Sequence, residues 1–427
     1  MLYDIGFFIF SLFYLPTLLF KGKLHGDFAE RFGIYGVEKK KALEAAKDAI
    51  WIQAVSVGEV AVCRKLIPSL RQRFPDRTII LSTITKTGNG LARKLFSPDA
   101  VVIYFPLDFS SVVKKSVAII RPKTYIMVET EIWPNVLREM RFNSIPAILI
   151  NGRISDRSFG KYKLVKPFLK NVLSKISLFC MQSATDAGRV VELGAPEERV
   201  SVTGNMKFDI ALSSDTEAVR RLKEDIGFQE GDELIVAGST HRGEEEMVVS
   251  AFKELAVGSP KLRLLIAPRH IERSAEVESV VRTAGFQAVK MSSRRGHPPA
   301  GNENPVFILD TIGLLNSAYS LAAVVFIGGS LVKHGGQNPI EPAVSGKPVV
   351  FGPHMFNFKD MTAALLKDGG AVQVQDAVGL TAALRDILKD ENKRAALGNN
   401  AKEVIKRNCG ATEKNLEILE KVVSYKL

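Results

Sequence analysis

The 427-residue sequence predicts an α/β protein that contains two successive doubly wound parallel sheets. Short apolar runs recur along the chain, and each is followed by an amphipathic helical pattern or a polar loop. This alternation occurs twice, once before about Asp209 and once after it. A chain of this length also exceeds what one hydrophobic core usually supports, so two domains are expected.

The apolar runs have the length and composition of strands buried on both faces of a sheet. In chain order, the predicted strands are AIWIQAV, TIILSTI, YIMVE and PAILIN, then ELIVAGS, RLLIAPR, PVFILD, AVVFIGG and KPVVFG. Helical patterns begin near Glu59 and in GNGLARKLF. The polar stretch SSDTEAVRRLKEDIGFQEGDE has no strand pattern, so the domain boundary is expected there. This predicts an anchor over 1–22, an N-terminal domain over 23–210 and a C-terminal domain over 211–427, whose last helix is free to pack back on the first domain.

The charge and the cysteines limit the class of protein. Cys63, Cys180 and Cys409 lie far apart without a CxxC spacing, so we interpret them as free thiols of a reducing compartment. The net charge of +12 favours an anionic partner, which could be nucleic acid, a membrane surface or a phosphorylated substrate. Nucleic acid fits only the net charge, because no recognisable binding module is present.

The N-terminal run IGFFIFSLFYLPTLLF, from Ile5 to Phe20, contains no charged residue and is followed by Lys21 and Lys23. A signal peptide has its positive charge before the apolar run, so this order argues against one. The run is short for a full bilayer crossing. We interpret it as a retained anchor, either a tight span or a helix in one leaflet, with the body of the protein in the cytoplasm. The alternative is a buried core helix.

A second segment, residues 158–176, combines an apolar stripe with many lysines; we call it the lysine-rich segment. Such a helix can lie on an anionic membrane, and the alternative is a surface helix with a solvated lysine face. The N-terminal anchor favours the membrane. The stripe consists of Phe159, Tyr162, Val165, Phe168, Leu169, Val172 and Leu173, and the lysines are Lys161, Lys163, Lys166, Lys170 and Lys175.

In open parallel sheets, ligands bind beyond the carboxyl ends of the strands. After ELIVAG come Ser239 and Thr240, which we expect at a helix start, where hydroxyls and free amides can hold a phosphate. Pro268 and Arg269 follow RLLIA, and the arginine could grip a nucleotide phosphate or base. Plain helix capping and a surface salt bridge are the alternatives. The sequence has neither GxGxxG after its first strand nor GxxxxGK[ST], which disfavours dinucleotide enzymes and P-loop nucleotidases.

The stretch GGSLVKHGGQNPIEPA follows AVVFI at another strand end. Its glycine pairs let the backbone turn sharply and approach a ligand. Asn338 can cap the next helix, Pro339 suits its first turn, and Glu341 is then aimed from the beginning of that helix. A carboxylate there can accept two hydrogen bonds from a ribose diol, so the turn indicates a nucleotide site. A purely structural turn is the alternative.

A series of motifs resembles the 3-deoxy-D-manno-oct-2-ulosonic acid (Kdo) transferases, membrane-associated glycosyltransferases of the GT-B fold that use CMP-Kdo and a lipid A precursor. After the apolar N-terminal run, the motifs are ERFG, AVSVGE, ETEIWPN, NGRISDRS, GNMKFD, GSTHRGEE, APRH, GGSLVKHGGQNPIEPA and GPHMFNFKD, in the order of the family. The resemblance covers essentially the whole chain.

The resemblance implies a role for individual residues. Glu59 is expected to be the general base, and Glu129 and Lys207 are expected to support the transition state. Three positions depart from the family pattern: Leu314 replaces a common glutamate, Lys86 a proline and Gly152 an alanine. The implied CMP site comprises Pro268, Arg269, Ile312, Gly313, Leu314, Asn338, Pro339, Ile340 and Glu341, beside Ser239 and Thr240.

The implied reaction is the inverting transfer of Kdo from CMP-Kdo to a lipid A precursor, lipid IVA, in lipopolysaccharide biosynthesis. A single base suffices, and neither a cofactor nor a metal is expected. Arg153 and Arg157 are candidate contacts for the acceptor phosphates, and the implied location is the cytoplasmic face of the bacterial inner membrane. The alternatives are a GT-B glycosyltransferase or epimerase for another nucleotide sugar, and a non-enzymatic lipid-binding protein.

Overall fold

The computed structural model describes residues 3–8, 27–211, 216–293 and 304–424. The chain divides into two compact units. The first comprises Met1–Ile210 together with Cys409–Leu427, and the second comprises Ala211–Asn408. Within the described residues, each unit contains a seven-stranded parallel sheet, which confirms the predicted pair of parallel α/β domains. The C-terminal segment belongs to the first unit, so the second unit ends before residue 427.

The strands occur in the following chain order. The first sheet contains β1 (Ile50–Gln53), β2 (Ile79–Thr83), β3 (Val101–Tyr104), β4 (Thr124–Val128), β5 (Ala147–Gly152), β6 (Leu178–Met181) and β7 (Val200–Val202). The second contains β8 (Glu233–Thr240), β9 (Leu262–Pro268), β10 (Ala288–Lys290), β11 (Val306–Ile308), β12 (Val324–Ile327), β13 (Val349–Phe351) and β14 (Ala371–Gln373).

The helices connect these strands. They are α1 (described over residues 3–8), α2 (Val37–Glu44), α3 (Val57–Arg73), α4 (Lys86–Phe96), α5 (Ser110–Ile120), α6 (Pro134–Phe142), α7 (Asp156–Leu164), α8 (Lys166–Leu173), α9 (Ala184–Glu192), α10 (Thr216–Asp225), α11 (Glu244–Ala256), α12 (Ser274–Thr283), α13 (Leu315–Leu321), α14 (Ile340–Val344), α15 (Lys359–Lys367), α16 (Ala377–Lys389), α17 (Glu391–Asn408) and α18 (Ala411–Ser424). Short 3₁₀ helices span Phe28–Phe32, Glu197–Arg199, Met206–Ala211, Ile271–Arg273, Met291–Ser293 and Phe356–Phe358.

The first sheet has the strand order β3-β2-β1-β4-β5-β6-β7. The order reverses between β1 and β4, and such a switch point opens a crevice at the carboxyl ends of the two strands. Both faces of the sheet are buried. Trp51 packs into one apolar cluster, while its neighbours Ile50 and Ile52 pack into another. This is why the strands are continuous apolar runs, since helices must cover both faces.

The last helix packs on the first unit. Leu416 and Leu419 of α18 join the same apolar cluster as Ile50. The carboxylate of Asp209 accepts hydrogen bonds from the backbone N–H groups of Gly410 (2.7 Å) and Thr412 (2.6 Å) at the start of α18. The aspartate of the GNMKFD motif therefore holds the returning helix in place.

The second sheet has the strand order β10-β11-β9-β8-β12-β13-β14, and the order reverses between β8 and β12. Gly238 and Ile327 lie opposite each other at this switch point. A Cβ atom on Gly238 would lie 2.0 Å from the hydroxyl oxygen of the buried Tyr319. Glycine is therefore required near the end of β8, because a side chain there would displace α13.

All nine predicted apolar runs form strands. The sequence did not predict β3, β6, β7, β10 and β14, of which all but β6 lie at a sheet edge. Edge strands have one neighbour and bury less surface, so their apolar signal is weaker. Cys63, Cys180 and Cys409 are free thiols, as predicted.

The predicted anchor falls mostly on residues outside the described part of the chain. The described helix α1 includes Ile5 and Phe8, which are more than half exposed. Phe7 packs edge-on against Phe109 with ring centroids 4.9 Å apart. In the described ranges, we find no helix that combines the length and the apolar character needed to cross a bilayer.

The lysine-rich segment differs from the single amphipathic helix that was predicted. It forms two helices, α7 and α8, that meet at Val165. Pro167 explains the break, because it lies in the first turn of α8, and its missing N–H and its ring prevent α7 from continuing through it. Val165 and Phe168, two residues of the apolar stripe, are 47% and 46% exposed, so they do not face the core as the alternative of a surface helix required. The ring of Phe168 instead stacks on Tyr3 of α1.

Candidate active site

Glu59 lies in the first turn of α3, directly beyond β1. The backbone N–H of Val55 donates to its Oε2 (2.6 Å), and the hydroxyl of Ser56 donates to its Oε1 (2.9 Å). The residue is only 7% exposed. A helix N-terminus favours a carboxylate, and these two bonds fix its orientation.

The pKa of Glu59 is raised to about 7, mainly by burial and in addition by the charges of Glu129 and Glu131, against the opposing hydrogen bonds from Val55 and Ser56. A carboxylate with a pKa near 7 exchanges a proton readily at neutral pH, which is the property that a general base requires. Glu59 thus has the position and the raised pKa that a general base needs, and its role as the base, which the resemblance implies, stays a prediction.

Glu129 and Lys207 form an ion pair in the same unit. Glu129 directly follows β4 and has the left-handed backbone angle φ of 61°. The Nζ atom of Lys207, in the 3₁₀ helix Met206–Ala211, lies 2.7 Å from Oε1 of Glu129. Because β4 neighbours β1 at the switch point, the pair lies on the same sheet edge as Glu59. The structure therefore brings together the three residues predicted to be catalytic.

Glu131 is an additional member of this carboxylate group, and we did not single it out from the sequence. Burial raises its pKa, and the charge of Glu129 raises it further. The motif ETEIWPN contains two acids, and only their position after a strand could have indicated that both face the site. Glu59, Glu129 and Glu131 thus gather acidic groups near the ion pair of Glu129 and Lys207.

The turn that carries Lys207 is fixed to the end of β5. The side-chain oxygen of Asn151 accepts a hydrogen bond from the backbone N–H of Met206 (2.9 Å). A Cβ atom on the adjacent Gly152 would lie 2.6 Å from the sulfur of Met181. The side chain of Met181 therefore occupies the space that an alanine would need at position 152, and glycine leaves room for it.

The loop after β4 is also bound to the end of β5, where the acceptor-side candidates lie. The hydroxyl of Thr130 accepts from the backbone N–H of Arg153 (2.9 Å) and donates to the Arg153 carbonyl. Arg153 is half-buried, whereas Arg157 on α7 is exposed. Arg153 thus lies next to the Glu129 loop, while Arg157 faces solvent on the following helix.

In the second unit, Ser239 and Thr240 are not at a helix start, so that prediction is wrong. Both belong to β8, and α11 begins only at Glu244. The hydroxyl of Thr240 is fully buried and donates to Oε1 of Glu245 (2.9 Å), so it is directed into the protein. Ser239 has a left-handed φ of 55°. The backbone N–H of Arg269 donates to the Thr240 carbonyl (2.9 Å), which fixes the ends of β8 and β9 together.

Glu244 organises the glycine-rich turn. Its buried carboxylate accepts from the backbone N–H groups of Gly329 (2.6 Å), Ser330 (3.0 Å) and Leu331 (3.0 Å), and from that of His241 (2.9 Å). The sequence indicated only an acidic first helical turn at this position. Such a long-range contact has no local sequence signal, since the partners lie more than eighty residues apart.

The glycines of this turn allow the predicted sharp bends and close backbone contacts within the protein, and the approach to a ligand stays a prediction. A Cβ atom on Gly328 would lie 2.3 Å from the Ser239 carbonyl oxygen. Gly335 and Gly336 have φ angles of 90° and 74°, which side chains rarely adopt. The turn can therefore fold over the end of β8 only with glycine at these positions.

The carboxylate predicted to bind ribose lies just beyond this turn. The side-chain oxygen of Asn338 accepts from the N–H of Ile340 (3.0 Å), and its amide donates to Oε1 of Glu341 (3.2 Å). Pro339, and not Asn338, therefore occupies the N-cap position of α14, so the predicted arrangement is shifted by one residue, although the side chain of Asn338 still accepts from the first N–H group of the helix.

The segment after β11 supplies the remaining residues of the predicted CMP site. Ile312 is 83% exposed, Gly313 has a φ of 104°, and Leu314 directly precedes α13. Burial raises the pKa of Tyr319 in α13 well above its ordinary value, and the nearby charge of Glu341 contributes. The start of α14 and the helix α13 therefore lie close to each other at this sheet edge.

Comparison with known proteins identifies the family of this chain. Residues 26–210 match the family model of the 3-deoxy-D-manno-octulosonic-acid transferases (kdotransferases). A 3-deoxy-D-manno-octulosonic acid transferase of Haemophilus influenzae is 35% identical over 395 residues, which cover 92% of this chain and 90% of the relative. The transferase of Bordetella pertussis is 31% identical over 399 residues, covering 91% and 90%.

The fold is also similar to that of solved structures. The UDP-GlcNAc 2-epimerase from Neisseria meningitidis aligns with a TM-score of 0.61, covering 87% of this chain and all of that one. At 14% identity, this similarity concerns the fold alone. The relatives, in contrast, match over nearly the full length of both chains at 30% identity or more. The chain therefore belongs to the 3-deoxy-D-manno-octulosonic acid transferase family.

Proposed function

We propose that this protein transfers Kdo from CMP-Kdo to a lipid A precursor, lipid IVA, with inversion at the anomeric carbon. Membership of the family identifies the protein as a glycosyltransferase. The observation that carries the proposal is the buried carboxylate of Glu59, with a pKa near 7, at the switch point of the first sheet beside the pair of Glu129 and Lys207.

In the proposed reaction, the ionised carboxylate of Glu59 removes the proton from a hydroxyl of the acceptor sugar. The hydroxyl oxygen forms a bond to the anomeric carbon of Kdo while the bond from that carbon to the phosphate oxygen of CMP breaks on the opposite face. The hydrogen bonds from Val55 and Ser56 keep the carboxylate in one orientation as it takes the proton. No metal or cofactor enters this scheme.

Lys207 supplies positive charge where the donor is most negative. Its ammonium can oppose the carboxylate of Kdo or the departing phosphate, and such preorganised charge lowers the barrier to transfer. Glu129 holds the ammonium in position through the ion pair at 2.7 Å. In this role Glu129 acts through Lys207 and is a positioning residue.

The donor nucleotide is assigned to the carboxyl edge of the second sheet. Glu341, oriented by the amide of Asn338, is proposed to accept hydrogen bonds from the ribose hydroxyls. Arg269 has an exposed side chain there and supplies a cation for the nucleotide. Backbone groups of Gly313 and Leu314 can contact the base, so the apolar side chain of Leu314 does not weaken the assignment. The hydroxyl of Thr240 is not assigned to the donor site, because it donates its hydrogen bond to Glu245.

The acceptor is assigned to the first unit, near Arg153 and Arg157, whose charges suit the phosphates of a lipid A precursor. The neighbouring lysine-rich segment exposes Lys161, Lys166 and Lys170 together with apolar side chains, among them Leu164, which is 84% exposed. This combination suits an anionic membrane surface. We therefore place the protein on the cytoplasmic face of the inner membrane, held there by its apolar N-terminal run.

The proposal is tested by incubating the purified protein with CMP-Kdo and a tetraacylated lipid A precursor, and weighing the lipid by mass spectrometry. The expected result is a lipid heavier by one or more Kdo residues, with release of CMP. The main alternative is a nucleotide-sugar enzyme with another donor. Turnover of a UDP-sugar in the same preparation, without any Kdo transfer, would favour that alternative.

A further inference from the structure

Three imidazoles meet at the carboxyl edge of the second sheet. His241 follows β8, His270 follows β9 and His334 lies in the turn after β12, and these strands are neighbours in the order β9-β8-β12. The rings of His241 and His334 stack with centroids 4.2 Å apart and an interplanar angle of 12°. The ring of His270 stands edge-on to His241 at 6.3 Å. The proposed reaction does not use these three histidines.

The position of the central ring, His241, is tightly defined. Its backbone N–H is bound to Glu244, the residue that also holds the glycine-rich turn. The amide nitrogen of Gln337 lies 3.3 Å from Nε2 of His241. A Cβ atom on Gly329 would lie 3.2 Å from the imidazole, so the absence of a side chain lets the turn approach the ring. The turn and the ring therefore form one organised structure.

The charges around His241 are positive. The groups that act on it are the other two histidines and the guanidinium groups of Arg269 and Arg273. The carboxylates nearby are engaged elsewhere. Glu244 accepts the four backbone N–H groups described above, Glu245 binds Thr240 and Arg273, and Glu276 binds Arg242 and Arg273. Basic groups thus surround His241, and the adjacent acids are bound to other groups.

The pKa of His241 is lowered to about 4, mainly by burial and in addition by the neighbouring basic groups, first of all His334. Without a ligand, the ring is therefore neutral at neutral pH. An anion among the three rings would offset the repulsion that the basic groups exert on a protonated His241. It would therefore favour the protonated ring, which can donate a charged hydrogen bond.

We propose that His241, His270 and His334 form the binding site for the phosphate of the donor nucleotide. The inference rests on the proposal that this unit binds CMP-Kdo. In this arrangement the ring N–H groups of His241 and His334 donate to phosphate oxygens, the ring of His270 stands edge-on beside His241, and Arg269 supplies a cation. The ribose is bound separately by Glu341, so loss of an imidazole weakens the phosphate contact and spares the nucleoside contacts.

The test compares CMP with cytidine, which lacks the phosphate. Dissociation constants for both ligands are measured by calorimetry on the full chain for the wild type, His241→Gln and His334→Gln. We expect each variant to bind CMP about tenfold more weakly, the effect of losing a charge-assisted hydrogen bond, and to bind cytidine within about twofold of the wild type. Arg242→Gln is the matched control, because Arg242 is a cation on the same turn that is already paired with Glu276 at 2.7 Å.

Two results would overturn the inference: an unchanged affinity for CMP in both variants, or an equal loss of affinity for CMP and cytidine. His334 is exposed, so its variant is expected to fold, and melting temperatures without ligand check this. If the wild type binds no CMP, the donor assignment itself fails. If the wild type and both variants bind CMP alike, only the role of the histidines fails.

Discussion

The ammonium of Lys207 lies 2.7 Å from the carboxylate of Glu129, and both side chains are mostly buried. The two residues lie far apart in the sequence and meet because Asn151 fixes the Lys207 turn to β5, the strand that neighbours β4. An ion pair at a strand end can serve stability or catalysis. The two roles predict different results when the partners are changed singly and together.

We expect Lys207→Met to lower kcat at least tenfold, because the transition state loses a preorganised charge. Glu129→Gln should lower kcat by acting through Lys207, so the double variant should be no slower than Lys207→Met. The pair of Lys290 and Glu278, at 2.6 Å and with the same side-chain exposure, provides matched control variants in the second unit. If kcat of the double variant is lowered by the product of the two single effects, Glu129 acts independently of Lys207.

The nucleotide assignment predicts a preference for cytidine nucleotides. CMP or CTP should raise the melting temperature of the second unit, UDP should do so weakly, and Glu341→Ala should remove most of the effect because the ribose loses its acceptor. Glu272→Ala, which changes an exposed carboxylate of the same unit, should leave the effect intact. Equal protection by UDP would point to a different donor.

The contacts of Glu244 predict a large structural effect from a small chemical change. A glutamine has one acceptor oxygen in place of two and no charge, so Glu244→Gln should cost about 2 kcal/mol of unfolding free energy. It should also weaken CMP binding, because the glycine-rich turn is no longer held. Glu246 lies on the same helix and is exposed, so Glu246→Gln is the control. Chemical denaturation that finds the two variants equally stable would exclude this role.

The proposed membrane location predicts that the N-terminal run and the lysine-rich segment contribute separately to membrane binding. Removing residues up to Phe20 should release much of the protein from membranes and leave nucleotide binding intact, with residual attachment that weakens as salt rises. Replacing Lys161 and Lys170 by glutamate in the truncated protein should remove this remainder, since both lysines are exposed. Sedimentation with anionic vesicles measures both effects. A truncated protein that is unfolded without detergent would show that the apolar run belongs to the core.

Apart from β6, the sequence predicted the interior strands, whose two faces are buried, because such strands are uninterrupted apolar runs. It also predicted the residues at strand ends, since parallel topology places them on one edge. It could not indicate that Thr240 is bound to Glu245 or that Glu244 holds the turn after β12, because these contacts depend on how distant strands are ordered. The break at Val165 was indicated by Pro167, but the apolar periodicity across it suggested one continuous helix.

Glu59 is the proposed base. Because its pKa is raised in the folded state, its contribution to the stability of the protein depends on pH. The folded-state value of about 7 lies above the ordinary value of 4.5, so the folded state binds the proton more tightly than the unfolded state. The stabilisation that comes from binding this proton is present in full below the ordinary pKa of 4.5, and it is lost as pH rises through about 7. Glu59→Gln should therefore be relatively more stable than the wild type at alkaline pH than at acidic pH.

The most direct test is the single-turnover rate of Kdo transfer as a function of pH, from about pH 5 to about pH 9, for the wild type and Glu59→Gln. We expect the wild-type rate to rise with an apparent pKa near 7 as Glu59 ionises. The variant, which keeps the shape but cannot accept a proton, should be slower by roughly a hundredfold or more and lack this rise, with CMP binding unchanged. A Glu59→Gln variant that transfers Kdo at the wild-type rate would contradict the assignment of Glu59 as the base.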